Sequence, residues 1–359
     1  MKKIAAIISA ALVSLAMCAP ALSGCSGDGI KFTLSKDGTH YTVKYSGISS
    51  PMEECRIPAY YGDDNIPVTG IADEGFANTR FTKIIIPKTV TEIGVAAFSY
   101  CPLLKTVEFE EGIQLEKLSH GMFGASTNLE EIKIPDSVKS LENLAFYGCS
   151  KLSSVTMNSV ETIGDKTFEG CTALEEISLP STLTTIGTLA FYRSGLKSVE
   201  IPESVKDTVT TDDDGNESTV YGLGIGSFNS CVYLESVKIA EGVKVIPSGI
   251  FGNCRALKEI YLPLSIDEVQ GPYYEKGVFI VGHAFYYCPA LTDVYYAGSE
   301  EQWKYIKIEN LALSESGITM DNSALVNAAK HYENKYKYGG KNSTVFLIAK
   351  LKFMPFQPF

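Results

Sequence analysis

Apolar and polar residues alternate in a series of short segments, each of which ends at proline. Four clear examples are EIKIP (131–135), EISLP (176–180), SVEIP (198–202) and EIYLP (259–263). A period of two predicts a short strand with one buried face, so Ile177 and Leu179 are predicted to point inward. A second apolar pair, such as Leu183 and Ile186, follows the strand and precedes a phenylalanine.

Phenylalanine marks the period of this pattern. It recurs at Phe76, Phe98, Phe123, Phe146, Phe168, Phe191, Phe228, Phe251 and Phe285. Six of the eight gaps are 22 to 25 residues long, and many copies have Cys and Leu three and six residues after the Phe, as in Cys171 and Leu174. A fixed period in the twenties predicts a repeat solenoid, whose coils stack because none can bury its apolar residues alone.

The repeated unit has a specific consensus. It reads AF-x-x-C-x-x-L-x-x-[VI]-x-[LI]-P followed by S-x-V-x-x-I-G, over roughly residues 60–297. This run resembles the BspA-like leucine-rich repeats of bacterial surface proteins. The resemblance implies a leucine-rich-repeat right-handed coil, β-rich with short strands and short helical turns, with about nine repeats over residues 71–297. Where the commoner repeat has Asn or Cys after its L-x-L, this chain has Pro or a small residue, which argues against an asparagine ladder but not against the coil.

The first 24 residues have the features of an export signal. Two lysines, Lys2 and Lys3, precede an apolar run that is too short for a membrane span. The next residues, Leu22-Ser23-Gly24-Cys25, are similar to the lipobox of bacterial lipoproteins, and this similarity implies a lipid on Cys25. The alternative is ordinary cleavage in which Cys25 has no part. We therefore expect an exported protein, lipid-anchored to the bacterial cell membrane or outer envelope and facing outside.

The charge of the chain limits its partners. Removal of residues 1–24 leaves 29 basic against 42 acidic residues, a formal net charge of −13. An acidic protein is poorly suited to bind nucleic acid or an anionic lipid surface, so we expect no nucleic-acid partner and membrane contact through the N-terminal lipid only.

The nine cysteines and four histidines give no sign of catalytic or metal chemistry. Six cysteines occupy the same place in successive repeats, which favours a ladder of small buried groups over disulfides, although stacked neighbours would be close enough to bond. The chain has no CxxC and no Cys/His pairing at zinc spacing, no HExxH and no G-x-S-x-G. We therefore predict no metal site, no cofactor and no enzymatic activity.

The two ends of the repeat region differ from its middle. Residues 25–70 are predicted to form a lipid-attachment linker and an N-terminal cap, with a hairpin around Asp37-Gly38. Residues 298–333 are predicted to form a C-terminal cap with Trp303 over the last coil and a helix over 322–333. The tail, residues 334–359, matches no pattern, and its structure is not predicted.

Two repeats carry insertions, at 207–222 and 267–282. Both occupy the stretch between the strand-ending proline and the next phenylalanine, so both hairpins are predicted to leave one edge of the solenoid and to form the walls of a cleft. The alternative is two unrelated surface loops, which a solenoid tolerates at little cost. The first insertion supplies an acidic rim and the second supplies aromatic contact area. These candidate residues are Asp212, Asp213, Asp214, Tyr273, Tyr274 and Phe279.

The outward strand positions become aromatic toward the C-terminal end of the repeats. Tyr261 and Tyr295 occupy equivalent outward positions, and exposed tyrosines are good anchors for a protein or a sugar. The leading hypothesis is a non-enzymatic surface protein that binds macromolecules, by adhesion or protein–protein interaction, through its concave face or inserted loops. The rivals are a glycan-binding lipoprotein for polysaccharide capture and a structural spacer.

Overall fold

The structure is a computed structural model. It describes residues 29–47, 51–211, 215–275, 278–309, 314–315, 318–319 and 321–333. The predicted signal 1–24, Cys25 and the tail 334–359 lie outside the described residues.

The regular secondary structure of the described chain consists almost entirely of short strands. The strands of the first half are β1 (Ile30–Leu34), β2 (Tyr41–Tyr45), β3 (Met52–Arg56), β4 (Tyr60–Tyr61), β5 (Ile66–Ile71), β6 (Phe81–Ile86), β7 (Glu92–Ile93), β8 (Thr106–Phe109), β9 (Lys117–Leu118), β10 (Glu131–Lys133), β11 (Ser140–Leu141), β12 (Ser154–Thr156), β13 (Thr162–Ile163) and β14 (Thr185–Ile186). The second half contains β15 (Ser198–Ile201), β16 (Thr208–Thr211), β17 (Glu217–Val220), β18 (Ser236–Ile239), β19 (Val245–Ile246), β20 (Glu259–Leu262), β21 (Glu268–Val269), β22 (Tyr273–Glu275), β23 (Val278–Val281), β24 (Asp293–Tyr296), helix α1 (Glu300–Trp303), β25 (Lys307–Ile308), β26 (Ser314–Glu315), β27 (Ile318–Thr319), helix α2 (Ser323–Asn327) and β28 (Ala329–His331).

The strands with alternating sequence pair in parallel, one repeat against the next, and we call them the front sheet. One part has the order β12-β10-β8-β6-β3 and the other the order β15-β18-β20-β24-β28. In β15, Val199 and Ile201 are buried and Ser198 and Glu200 are exposed, as a period of two requires. The predicted inward and outward positions are confirmed for the paired strands β8, β10, β15, β18, β20 and β24.

Each coil crosses back through a second, narrower line of parallel strands, the rear sheet. Its two-residue strands include β9, β11, β13 and β14, and then β19, β21 and β25. Leu141, Ile163 and Ile186 are aligned in this sheet and buried. Each is the second member of the apolar pair that the sequence pattern places before the phenylalanine of its repeat.

The nine phenylalanines form a continuous buried stack between the turns. Successive ring centroids lie 5.1 to 5.9 Å apart, and every ring is fully buried. Phe191 and Phe228 are 37 residues apart in sequence, yet their rings lie 5.1 Å apart. The insertion between them therefore leaves the stack undisturbed.

The six repeated cysteines are buried beside this stack, and each of these six is a free thiol. Cys149 Sγ donates a hydrogen bond to the carbonyl of Phe123 at 3.2 Å, and Cys171 Sγ donates to that of Phe146 at 3.3 Å. Burial raises the pKa of the Cys149 thiol to about 12. The ladder of thiols thus joins neighbouring coils by hydrogen bonds as well as by packing, which the sequence did not predict.

One predicted strand is wrong. Among the described residues, 176–179 takes part in no sheet pairing and makes no backbone hydrogen bond, and Ile177 and Leu179 are only half-buried. The following coil has a shorter turn, in which Leu196 comes five residues after Phe191 instead of the six that separate Leu174 from Phe168. The amide of Lys197 still donates to the carbonyl of Glu175 at 3.0 Å, but beyond that bond segment 176–179 pairs with neither β12 nor β15, so the front sheet divides there into its two parts.

The N-terminal hairpin is confirmed. Strands β1 and β2 pair antiparallel around Asp37-Gly38, and Gly38 has a φ of 74°, which favours glycine. Hydrogen bonds from Ser35 and Thr39 lower the pKa of Asp37 to about 2, so the turn is held by a charged side chain.

The predicted helix over 322–333 is wrong in its second half. Helix α2 covers only Ser323–Asn327, and residues 329–331 form β28, which pairs in parallel with β24. The composition of this segment favours a helix, but the open edge of the front sheet at β24 offers backbone hydrogen bonds that an isolated helix end does not.

Trp303 lies on α1, where its ring packs edge-on against Tyr296 at 5.4 Å. Within the described part, no helix is long and apolar enough to cross a membrane.

Candidate binding face

The outward side of the front sheet, which we call the front face, carries a row of polar and aromatic side chains in register. Parallel pairing aligns Glu200 with Lys238, Lys238 with Tyr261, Tyr261 with Tyr295 and Tyr295 with His331. The two tyrosines predicted from the sequence are thus brought together by β20 and β24. We call Lys238, Tyr261, Tyr295 and His331 the aromatic row.

The rings of the aromatic row stack on one another. The Tyr261 and Tyr295 centroids are 4.5 Å apart with planes 10° from parallel, and those of Tyr295 and His331 are 4.6 Å apart at 18°. Lys238 Nζ lies 5.7 Å from the Tyr261 centroid, within cation–π range. Both faces of Tyr295 are therefore covered, and the row presents ring edges and hydroxyl groups to its surroundings.

Two carboxylates flank the row. The carboxylate of Asp293 lies 2.7 Å from His331 Nε2, and hydrogen bonds from His331 and Thr292 hold the pKa of Asp293 below its usual value. Burial, with the nearby carboxylate of Glu259, raises the pKa of Tyr261. The tyrosine therefore keeps its proton and can donate a hydrogen bond at neutral pH.

His331 is the member of the row that sequence reasoning missed. The chain around it lacks the repeat pattern, and its composition points to a helix instead of a strand. No pattern in this segment signals its outward position, which follows from the pairing of β28 with β24.

The amino-terminal part of the front face has a different character. Lys83 Nζ lies 2.7 Å from a carboxylate oxygen of Glu108 and 3.9 Å from one of Glu54, so it bridges the strands on either side. A hollow of about 380 Å³ beside it is lined by both signs of charge, including Lys133 and Glu131. This part of the face is largely neutralised by its own residues.

The insertions form hairpins, as predicted, but the premise of a shared edge is wrong. Hairpin β16–β17 comes before Leu223, which bridges to Ile186 in the rear sheet, whereas β22–β23 comes after the rear strand β21. The two hairpins therefore leave opposite ends of the rear-sheet strand, because one insertion precedes that strand and the other follows it. Proline-to-phenylalanine spacing could not distinguish the two positions.

The remaining predicted residues are only partly described. Tyr273 lies on β22 with its side chain 37% exposed, but the side chains of Tyr274 and Phe279 lie outside the described part, as do Asp212, Asp213 and Asp214. Asp207, at the base of the first hairpin, accepts hydrogen bonds from the amides of Gly222 and Lys244, each at 2.9 Å. Across the described ranges, no three His, Cys, Asp or Glu residues form a group that could hold a metal ion.

Comparison with known families assigns this architecture. A model of the BspA type leucine rich repeat region, in six copies, matches residues 69–158, 114–211 and 216–305. The chain belongs to the BspA-type leucine-rich-repeat family. The match covers most of the chain, and the resemblance inferred from the repeats is confirmed. In the comparison with curated proteins, none matches.

Several solved structures are similar to this BspA-type chain. A leucine rich cell surface protein from Faecalibacterium prausnitzii has 24% identity over 79% of this chain and 97% of that one, with a TM-score of 0.46. A leucine-rich repeat protein from Bacteroides ovatus has 19% identity over 85% and 98%, with a TM-score of 0.48. One from Bacteroides capillosus has 31% identity over 36% and 94%, with a TM-score of 0.31. The family assignment rests on the repeat model and not on these structures.

Proposed function

We propose that this protein is a non-enzymatic, lipid-anchored cell-surface protein that binds another protein through the aromatic row of its front face. The observation that carries the proposal is the stack of Tyr261, Tyr295 and His331 in register across three strands. Stacked rings are rigid and amphipathic, so a partner that binds to them loses little side-chain entropy in the row.

The geometry of the row favours a protein partner over a sugar. A sugar stacks on the open face of an aromatic ring, but Tyr295 is covered on both faces and Tyr261 on one by Tyr295 and on the other by Lys238. What the row offers instead is ring edges, two phenol groups and a lysine. These groups suit the backbone carbonyls, carboxylates and apolar side chains of a protein surface.

The anchor and the ends of the molecule belong to the same proposal. Cys25 carries the lipid and holds the protein at the outer side of the bacterial cell membrane or envelope, while residues 25–70 and 298–333 close the two ends of the right-handed coil. Replacement of Cys25 by Ala is expected to release the protein from the membrane fraction. A Cys25→Ala variant that still fractionates with membranes would show that the anchor lies elsewhere.

The binding proposal is tested with protein and glycan arrays. A lipid-free form with Cys25→Ser is compared with the same form carrying Tyr261→Ser and Tyr295→Ser. The matched control is Tyr305→Ser, because Tyr305 is 85% exposed and lies outside the row. We expect protein ligands that are lost with the double variant and kept with the control. Glycan ligands alone, or protein ligands indifferent to the double variant, would contradict the proposal.

A further inference from the structure

The division of the front sheet leaves two strands each paired on one side only. Strand β12 ends one part of the sheet and β15 ends the other, and segment 176–179 lies between them without a sheet partner among the described residues. The rear sheet stays paired at this level through β13 and β14, and the Phe168 and Phe191 rings remain 5.2 Å apart. The loss of strand pairing is therefore confined to the front side of these coils.

The unpaired segment and its neighbours line a groove, which we call the sheet-break groove. Its volume is about 790 Å³, and its lining includes Val155, Ile177 and Leu179. These three apolar side chains are only half-buried, whereas their counterparts in the next coil, Val199 and Ile201, are buried. Apolar side chains that the fold covers elsewhere are thus exposed to a ligand at this place.

The rim of the groove is acidic. Glu176, Glu200 and Glu203 line it, and within the part of the chain that the structure describes no Lys or Arg does. In the same described part, none of the three glutamates forms an ion pair, whereas the neighbouring Glu175 is paired with Lys197. The contrast with the hollow beside Lys83 is direct, because that hollow is lined by both signs of charge.

We propose that the sheet-break groove binds an extended peptide segment of a partner protein whose side chains alternate between apolar and basic. An added strand has its backbone groups facing the open strands, and its alternate side chains point to opposite sides. The apolar ones lie against Ile177 and Leu179, and the basic ones lie on the front face beside Glu176 and Glu200. This site adjoins the aromatic row, since Glu200 is aligned with Lys238, but it consists of different residues and so goes beyond the binding function proposed above.

Probe peptides of defined pattern test this assignment. The capped peptide acetyl-VKVKVKV-amide is titrated against the intact protein by fluorescence anisotropy, with acetyl-VEVEVEV-amide and acetyl-SKSKSKS-amide as probes that lack the basic or the apolar half. Amide hydrogen exchange is measured in parallel. We expect binding of the first probe only, with protection of amides in 154–156, 176–179 and 198–201. Equal binding of the three probes, or protection confined to other segments, would overturn the proposal.

Charge variants provide the matched control. Glu176→Gln, Glu200→Gln and Glu203→Gln together neutralise the rim, and Glu108→Gln with Glu131→Gln makes the same kind of change, at two positions instead of three, at the other hollow. All five positions are exposed, so folding is expected to be unchanged. The rim variant is expected to lose affinity for the first probe by about tenfold, from three exposed charge contacts, while the control keeps it. Equal affinities of the two variants would overturn the proposal.

Two other occupants are distinguished in the same assay. The tail 334–359 contains five lysines and no acidic residue, so it has the chemistry to compete for the groove. If the probe binds only after this tail is deleted, the groove is filled by the chain itself and the assignment to a partner is overturned. If a neutral glucan hexasaccharide protects 176–179 and the peptide does not, the assignment to a peptide is overturned.

Discussion

The phenylalanine stack is uniform along the solenoid, whereas the front face of the same coils changes from one repeat to the next. The stack keeps a ring spacing of 5.1 to 5.9 Å through both insertions and through the level at which the front sheet divides. The front face changes along the same axis from paired charges around Lys83, through the sheet-break groove, to the stacked rings of Tyr261 and Tyr295. The difference indicates that side-chain ladders inside the coils maintain the fold, and that the residues of the face can vary without loss of the fold.

Removal of one ring from the stack is expected to have the largest effect. Phe168→Ala leaves a cavity between two rings that lie 5.2 Å on either side, and it is expected to lower the free energy of unfolding by ~3–5 kcal/mol. Urea unfolding of the variant and of the parent gives the value. A decrease in the free energy of unfolding smaller than that caused by replacing a front-face tyrosine would contradict the proposed difference between the stack and the face.

The next effect concerns two positions in the same coil. Leu174→Ala removes a fully buried side chain and is expected to cost ~2–5 kcal/mol, while Ser178→Ala, at an exposed and unpaired position, is expected to cost little. Equal costs at the two positions would mean that the interior and the face are not distinct here. The same urea measurement applies.

A conservative substitution among the buried cysteines is expected to have a smaller effect on stability. Ser126 already occupies the cysteine position of one repeat, and its hydroxyl donates to the Phe98 carbonyl at 2.8 Å. The hydroxyl of Cys171→Ser can donate the equivalent hydrogen bond to the Phe146 carbonyl. We therefore expect the free energy of unfolding to fall by no more than about 1 kcal/mol, as for a single conservative substitution. A loss as large as that of Leu174→Ala would indicate that the sulfur atom itself is required.

The smallest effect is electrostatic and lies on the face. The folded-state pKa of Asp293 is below its ordinary value of 3.8, so the hydrogen bond from His331 contributes stability above that value and loses it as the pH falls through the lowered pKa. We expect a carboxyl NMR titration to place Asp293 below 3.8, and His331→Gln to move it upward. An Asp293 pKa that does not respond to this substitution would contradict the contact.

The repeating interior could be predicted from sequence because its signals are local and periodic. The spacing of the repeat predicted that Phe168, Cys171 and Leu174 are buried. The alternation within the strands predicted that Tyr261 and Tyr295 point outward. These assignments need only the repeat itself.

The incorrect predictions share a cause, because the structure of each of these segments depends on a neighbouring coil. EISLP at 176–180 has the strand pattern, but neither of its neighbours in the stack, β12 and β15, pairs with it. His331 joins the aromatic row only because β24 offers it an edge. The exits of the two hairpins depend on which side of the rear strand each insertion falls, and spacing along the chain does not carry that information.

The most direct test of the account is an amide hydrogen-exchange footprint of a protein ligand selected on the array. We expect protection in the strands that carry the aromatic row, 236–239, 259–262, 293–296 and 329–331. Exchange in the rear sheet and in the turns that carry the stacked phenylalanines is expected to be unchanged. Protection confined to the rear strands or to the hairpins at 208–220 and 273–281, with the front strands unchanged, would contradict it.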